Sequence, residues 1–366
     1  MTDNIFDRLA ELLQSAGPVN WRLGIQIAES IAGAADPVDP WIAEEYEELG
    51  RTAVMLIGRS GADDPTPAPP LTVIDPRGWA AASIEGYAYL AEPLAAKFSG
   101  GGGMAPGMGI EAILGQLGPA LVGLQVGSLV GALAHGLLGP FDAGLPPAAS
   151  GSGSYAVVPN IEAMAAAEGL DTRQTRLWAV LRETAHQSLM AIPWVRGHLA
   201  ALAGSYIDGL EMRPDQLQER LQGLADPAEL ERLMSEPGGL AGFTAGPELE
   251  EVRGDLMAML ALLDGFGSLV VAAAAGDLLP DLAAIRRAAA SRSPETDPER
   301  VIGQMLGIEI DRGLADTAEA FSADITTRWG VEARDRLWRD PAGLPHLAEI
   351  HDPVGWAARV LLPDDL

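Results

Sequence analysis

Residues 176–194 read RLWAVLRETAHQSLMAIPW, and their pattern is that of one long helix. Asp171 stands just before the run, where its carboxylate can accept an early amide, with Gln174 three residues on as in a capping box. Pro193 has no amide hydrogen to continue the ladder, so the spacing predicts a helix from about Thr172 to Ala191. Residues four apart share a helix face, which puts Arg182 and His186 together on the side that also carries Trp178. The polar pair is therefore partly buried.

The segment Arg-Glu-Thr-Ala-His at 182–186 differs at one position from His-Glu-x-x-His. In that pattern two imidazoles one turn apart grip a zinc ion and the intervening Glu deprotonates the water on it. Arg182 stands in the first ligand position. A guanidinium stays protonated and has no lone pair, so it cannot coordinate metal. The plain reading is three polar residues on an ordinary helix, with His186 hydrogen-bonded in the core.

Working outward, the chain is long enough for two domains or one large one, and 48% hydrophobic residues supply an ample core. Fifty-one acidic against 24 basic residues give a net charge of -27, a field that repels nucleic acid and anionic lipid and favours cationic partners. The absence of cysteine excludes disulfides, thiolate metal sites and a Cys nucleophile, so any metal must be held by nitrogen and oxygen. The opening residues MTDNIFDRLAELLQ carry acids and do not match a secretory signal, so a cytoplasmic location is expected.

Residues 112–139 hold no charge over a length that could cross a bilayer. Their many glycines, Pro119 and His135, without a flanking basic cluster, argue instead for a buried, broken helix pair. The Gly-rich 99–109 is a loop or linker, and it lacks the Gly-Lys-Ser/Thr ending of a phosphate loop. It divides an N-terminal helical region, 1–98, from the remainder, 110–366. In the first part IFDRLAELL and VNWRLGIQIAESIA have helical spacing, Leu71 to Ile74 can be a strand, and Asp75 with Pro76 marks a helix start. In the second, Tyr155 to Val158 is a candidate strand and Asn160 a candidate cap for a helix from Ile161. The acidic runs EEYEEL, 44–49, and PELEEV, 247–252, read as solvated faces. No Gly-x-Ser-x-Gly elbow follows a strand.

An ordered series of segments carries a resemblance: LLGPFD at 137–142, VVPN at 157–160, RLWAVLRETAH at 176–186, IPWVRGHL at 192–199, LLDGF at 262–266, LLPDLAAIRR at 278–287, QMLGIEID at 304–311 and LWRDPAGLPHLAEIHDPVGWAARV at 337–360. From about Ile74 to Val360 the chain resembles the zincin-like bacterial metallopeptidases, a family of zinc-dependent metalloproteases and presumed hydrolases, some linked to coenzyme biosynthesis. The resemblance implies a mainly α, zincin-like fold with a few short strands. It also implies site roles: Glu183 as the relic general base, His186 as second ligand, and Asp264 where the family carries a glutamate as third ligand. Arg182 replaces the first histidine and Phe266 the His that follows the third ligand. One His and one Asp make a poor zinc site, so the expectation is a degenerate, catalytically silent member with no cofactor, or zinc only if the site still functions. Arg182 is then expected to sit in the metal's place, paired with Asp264, Glu183 or both. The expected partner is a protein or peptide, not nucleic acid or membrane.

Overall fold

The computed structural model describes residues 17–34, 37–59, 70–99, 110–148, 153–212, 243–244, 246–291, 303 and 312–362. The helix read in IFDRLAELL, the QMLGIEID segment and all of the loop read at 99–109 but Ser99, which ends a helix, lie outside the described residues. The architecture is mainly α, with two small two-stranded sheets.

The N-terminal half opens with α1 (Trp21–Ala32) and α2 (Pro40–Arg59), followed by β1 (Leu71–Ile74), α3 (Pro76–Ser83), α4 (Ala88–Ser99) and α5 (Ile110–Ala134). Asp75 accepts the Gly78 amide at 2.6 Å and Pro76 opens α3, as the sequence predicts. After a short 3-10 turn (Pro140–Ala143) come β2 (Ser154–Val157), α6 (Val158–Glu168), α7 (Thr172–Met190) and α8 (Val195–Gly209). β1 and β2 pair in parallel with Val73 opposite Ala156. A second, antiparallel pair joins β3 (Glu211–Met212) to β4 (Phe243–Thr244). The long α9 (Glu250–Ala275), α10 (Leu282–Ala290), α11 (Arg312–Trp329), α12 (Val331–Asp335) and α13 (Pro353–Val360) complete the described chain.

The apolar stretch after residue 110 corrects one expectation: it is a single helix, α5, and not a broken pair. Its glycines do not interrupt it because they form a contact face. A Cβ on Gly123 would lie 2.3 Å from the Asn20 carbonyl oxygen, and one on Gly127 would lie 2.4 Å from that of Gly24. Spaced four apart, these glycines let α1 and α5 touch along their backbones, which offsets the low helix propensity of glycine. Among the described residues the helical stretch with the length and apolarity to cross a membrane is instead Pro247–Leu278, and 72% of its apolar window is buried in the protein.

Asn160 also differs from expectation. Pro159 already starts α6 at Val158, so the Asn160 side chain is free to donate to the carbonyls of Ala134 at 2.9 Å and Leu137 at 2.7 Å. It closes the C-terminal end of α5 rather than capping its own helix. On α7, Asp171 accepts the Gln174 amide at 2.9 Å, but the Gln174 side chain does not return the bond. It reaches across to Asp281, donating from Nε2 at 2.9 Å and accepting the Asp281 amide at 2.9 Å. Half of the capping box is thereby exchanged for a tie between α7 and the start of α10.

α7 runs through the middle of the molecule, with α2, α6 and β2 on some of its sides and α9 and α10 on others. Most of its residues are buried, among them the polar Arg176, Glu183, His186 and Gln187. Buried polar groups of this kind must be hydrogen-bonded or paired, and their partners define two distinct faces.

Candidate functional site

On the α9 side of α7, Arg182 spans two carboxylates. Its Nη2 donates to Asp264 Oδ1 at 2.7 Å and its Nη1 to Asp142 Oδ1 at 3.1 Å. Asp142 comes from the turn that follows α5, and its other oxygen accepts the Leu138 amide at 2.9 Å. Three elements distant in sequence are therefore held to one guanidinium.

His186 lies one turn further along. Its Nδ1 is 2.7 Å from the Arg182 carbonyl oxygen; a carbonyl only accepts, so Nδ1 carries a proton. Nε2 is then directed at Asp264, 3.3 Å from Oδ1, close enough for an ionic contact but without the geometry of a hydrogen bond. The ring is stacked on Phe141 with centroids 5.0 Å apart at 22°. Its other side rests on Gly267, where a Cβ would come within 2.8 Å of the imidazole Cε1. Two residues earlier on α9, a Cβ on Gly265 would be 2.5 Å from the Ala315 carbonyl oxygen. The Asp-Gly-Phe-Gly run thus brings α9 against both α7 and α11, with Asp264 facing the gap between them.

Burial alone would raise the Asp264 carboxyl. The guanidinium of Arg182 and the imidazole of His186 outweigh it and hold the group well below the ordinary carboxylate range. A small cavity of about 140 Å³ opens beside this cluster, lined by Arg182, Asp264, Asp142, Trp178 and Ser268 and bordered by Arg286 of α10. Arg286 is itself bound at both nitrogens by Glu319 of α11.

Glu183 lies on the β2 side of the same helix. Its Oε1 accepts from the Tyr155 amide at 3.3 Å and from Gln187 Nε2 at 3.2 Å. A Cβ on Gly139 would sit 2.9 Å from its Oε2, so the glycine leaves room for the carboxyl. Burial pushes this group up to about 8, against the lowering effect of its hydrogen bonds to Gln187, Tyr155 and Ser154 and of the nearby Arg182. The side chains of Arg182, His186 and Asp264 are thus brought together, while Glu183 is held by a separate network.

Whether zinc suits these residues follows from their chemistry. Arg182 contributes a fixed cation and no lone pair, and it already neutralises the two aspartates that a metal would have to share. Among the described residues no group of three or more His, Asp and Glu is placed to hold a metal ion. The set does not fit a zinc ion while Arg182 occupies it.

Asp142 was not among the candidates read from the sequence. A signal for it exists: it is the first charged residue after an uncharged run of 112–141, in a segment apolar enough to be buried, and a buried carboxylate requires a cation. Phe141 and Gly267 could not have been found this way, since their part is to confine a ring from another element.

A sequence model of the zincin-like metallopeptidases matches residues 19–357. Among solved structures, one of a presumed hydrolase with a novel fold from Chloroflexus aurantiacus is similar at a TM-score of 0.66 and 24% identity, covering 94% of this chain and 99% of that one. No curated protein matches the sequence.

Proposed function

The chain belongs to the zincin-like metallopeptidase family, and within it we propose a member that has exchanged its catalytic metal for a protein cation and serves as a binding or structural protein without peptidase activity. The observation that carries the reading is the guanidinium of Arg182 bound between Asp142 and Asp264, at the position where the family pattern has its first histidine. One positive group neutralises both acids and holds α7, α9 and the turn after α5 together, as a metal ion would.

Two further observations support it. His186 keeps the disposition of a metal ligand, with Nδ1 tied to a carbonyl and Nε2 turned inward, yet finds only Asp264 there. Glu183, raised to about 8, is mostly protonated at neutral pH and so is ill suited to accept a proton from water. The alternative is a metal-dependent hydrolase with unusual ligands, which would require Arg182 to swing out and leave His186, Asp264 and Asp142 to a metal.

Elemental analysis of protein purified with added zinc separates the two, together with the Arg182→His variant and a peptidase assay using Glu183→Gln as control. Wild type without stoichiometric zinc, a variant that retains about one zinc per chain, and no peptide cleavage by wild type are the expected results. Stoichiometric zinc in wild type, with cleavage abolished by Glu183→Gln, would overturn the proposal.

A further inference from the structure

Another cavity lies on the opposite side of α7, and one of its walls is a strand edge. On β2 the outward amides are occupied: Val157 donates to the Leu138 carbonyl at 3.0 Å and Tyr155 to Glu183 at 3.3 Å. Backbone groups alternate in direction along a strand, so Ser154 and Ala156 are the residues that face β1. The register of Val73 opposite Ala156 then turns Thr72 and Ile74 toward β2. Leu71 and Val73 direct their N–H and C=O groups to the other edge, where among the described residues no hydrogen-bond partner meets them.

That edge borders a cavity of about 1110 Å³ whose facing wall is one side of α2, with Ala43, Glu47, Arg51 and Val54. Thr184 of α7 also lines it, two residues from Arg182 and hence on the far face of that helix. Between Ala43 and Val54 the α2 wall is about 16 Å long at ~1.5 Å per residue. About five residues of extended chain match that length.

The wall is apolar and carries both signs of charge, with the acids Glu47 and Asp75 against one lining cation, Arg51. Val54, which lines it, is 40% exposed. Glu47 and Asp75 line the cavity, and the neighbouring Glu44 and Glu48 of the EEYEEL run are exposed on the same helix as Glu47. Of the two adjacent glutamates 44 and 45, only Glu45 has an ion-pair partner among the described residues, Arg176. The charge of -27 reinforces the preference for a cation.

We propose that this groove docks an extended, basic segment of a partner protein, with apolar residues at alternate positions, which adds to β1 as a third strand. Its backbone pairs with Leu71 and Val73, one set of side chains packs on Val54, and the cations meet Glu47 and its neighbours. The proposal is independent of what the Arg182 cluster binds.

The test uses a fluorescent, alternating Lys-Val peptide of about eight residues and two versions of it N-methylated at every second residue, one in each register. The full-length protein is titrated with each, and amide hydrogen exchange is followed over Leu71–Ile74. Strand addition predicts saturable binding, slowed exchange at Leu71 and Val73, loss of about tenfold or more in affinity for one N-methylated register only, and weaker binding by the folded surface variant Glu47→Lys. Equal binding of both N-methylated peptides, unchanged exchange over β1, or no binding of the parent peptide overturns it. Attraction by net charge alone would show as the first of these.

Discussion

Two arginines on α7, six residues apart in the sequence, each hold two carboxylates, and the comparison separates a structural pair from the proposed former site. Arg176 binds Glu162 through Nε at 2.7 Å and Nη2 at 2.8 Å, and Glu45 through Nη1, while its guanidinium lies over the Tyr46 ring 5.7 Å from the centroid. Tyr46 in turn donates to Glu162 at 2.9 Å. All three guanidinium nitrogens there are spent on joining α2, α6 and α7. Arg182 also joins three elements, but with short aspartates, beside an inward-turned imidazole nitrogen and a cavity. An ion pair built for cohesion needs neither of those features, whereas a metal site that has lost one ligand would keep both.

The largest expected effect tests that contrast directly. Arg182→Ala should destabilise the protein by about 3–5 kcal/mol in urea unfolding, because it strands the buried Asp142, and Arg176→Ala should cost less, because its partners Glu45 and Glu162 are partly exposed, at 34% and 28%. Zinc should then distinguish them. In Arg182→Ala the ion can take the place of the guanidinium among Asp142, Asp264 and His186, so added zinc should raise the melting temperature. In Arg176→Ala no imidazole is at hand, and zinc should leave the melting temperature unchanged. An identical response of the two variants would erase the difference drawn between the arginines.

Next to Arg182 in the sequence stands Glu183, a buried carboxyl with no cation bonded to it among the described residues, and it responds in the opposite direction from Asp264. The folded protein holds the Glu183 proton up to about pH 8, whereas the unfolded chain releases it near the ordinary value of 4.5. Between those values the unfolded state binds fewer protons, so this group's contribution makes stability fall as pH rises, by up to about 1.4 kcal/mol per pH unit. For Asp264, held below its ordinary 3.8, stability is present above that value and is lost as the pH falls through the folded one. Urea midpoints from pH 5 to pH 8 should therefore decline less in Glu183→Gln than in wild type. Parallel profiles would mean that Glu183 ionises normally and that its separation from the Arg182 network is of no electrostatic consequence.

Local rules account for what could be read before the structure. Asp171 and Pro193 bound α7, and the four-residue spacing of Arg182 and His186 fixes a shared face whatever surrounds it. Resemblance brought Asp264 to that face from α9. What escaped were interactions that close over long sequence separations. Glycines at 123 and 127 read as helix breakers because propensity is local, while their benefit comes from α1 lying against them. Asn160 read as the cap of the helix that follows it, yet it serves the end of α5, and Asp142 belongs to Arg182 across 40 residues. In each case the residue type announces a polar or backbone need, and only the fold tells which group meets it.

The smallest effect concerns a carboxylate on the rim of the same cavity. Asp316 is 3.5 Å from Arg286, inside the range of an ion pair, but its side chain is 80% exposed, and Arg286 is already gripped at both nitrogens by Glu319. Water screens an exposed pair and compensates for its loss, so Asp316→Ala should alter stability by less than about 0.5 kcal/mol in the same urea unfolding. Asp264, only about a third exposed at 36%, shares Arg182 with the buried Asp142 and has no such substitute. If Asp316→Ala cost as much as Asp264→Ala, carboxylates around the cavity would be acting as one network that includes Arg286. The boundary of the proposed former metal site would then have to be drawn around α10 and α11 as well as around Arg182, His186, Asp142 and Asp264.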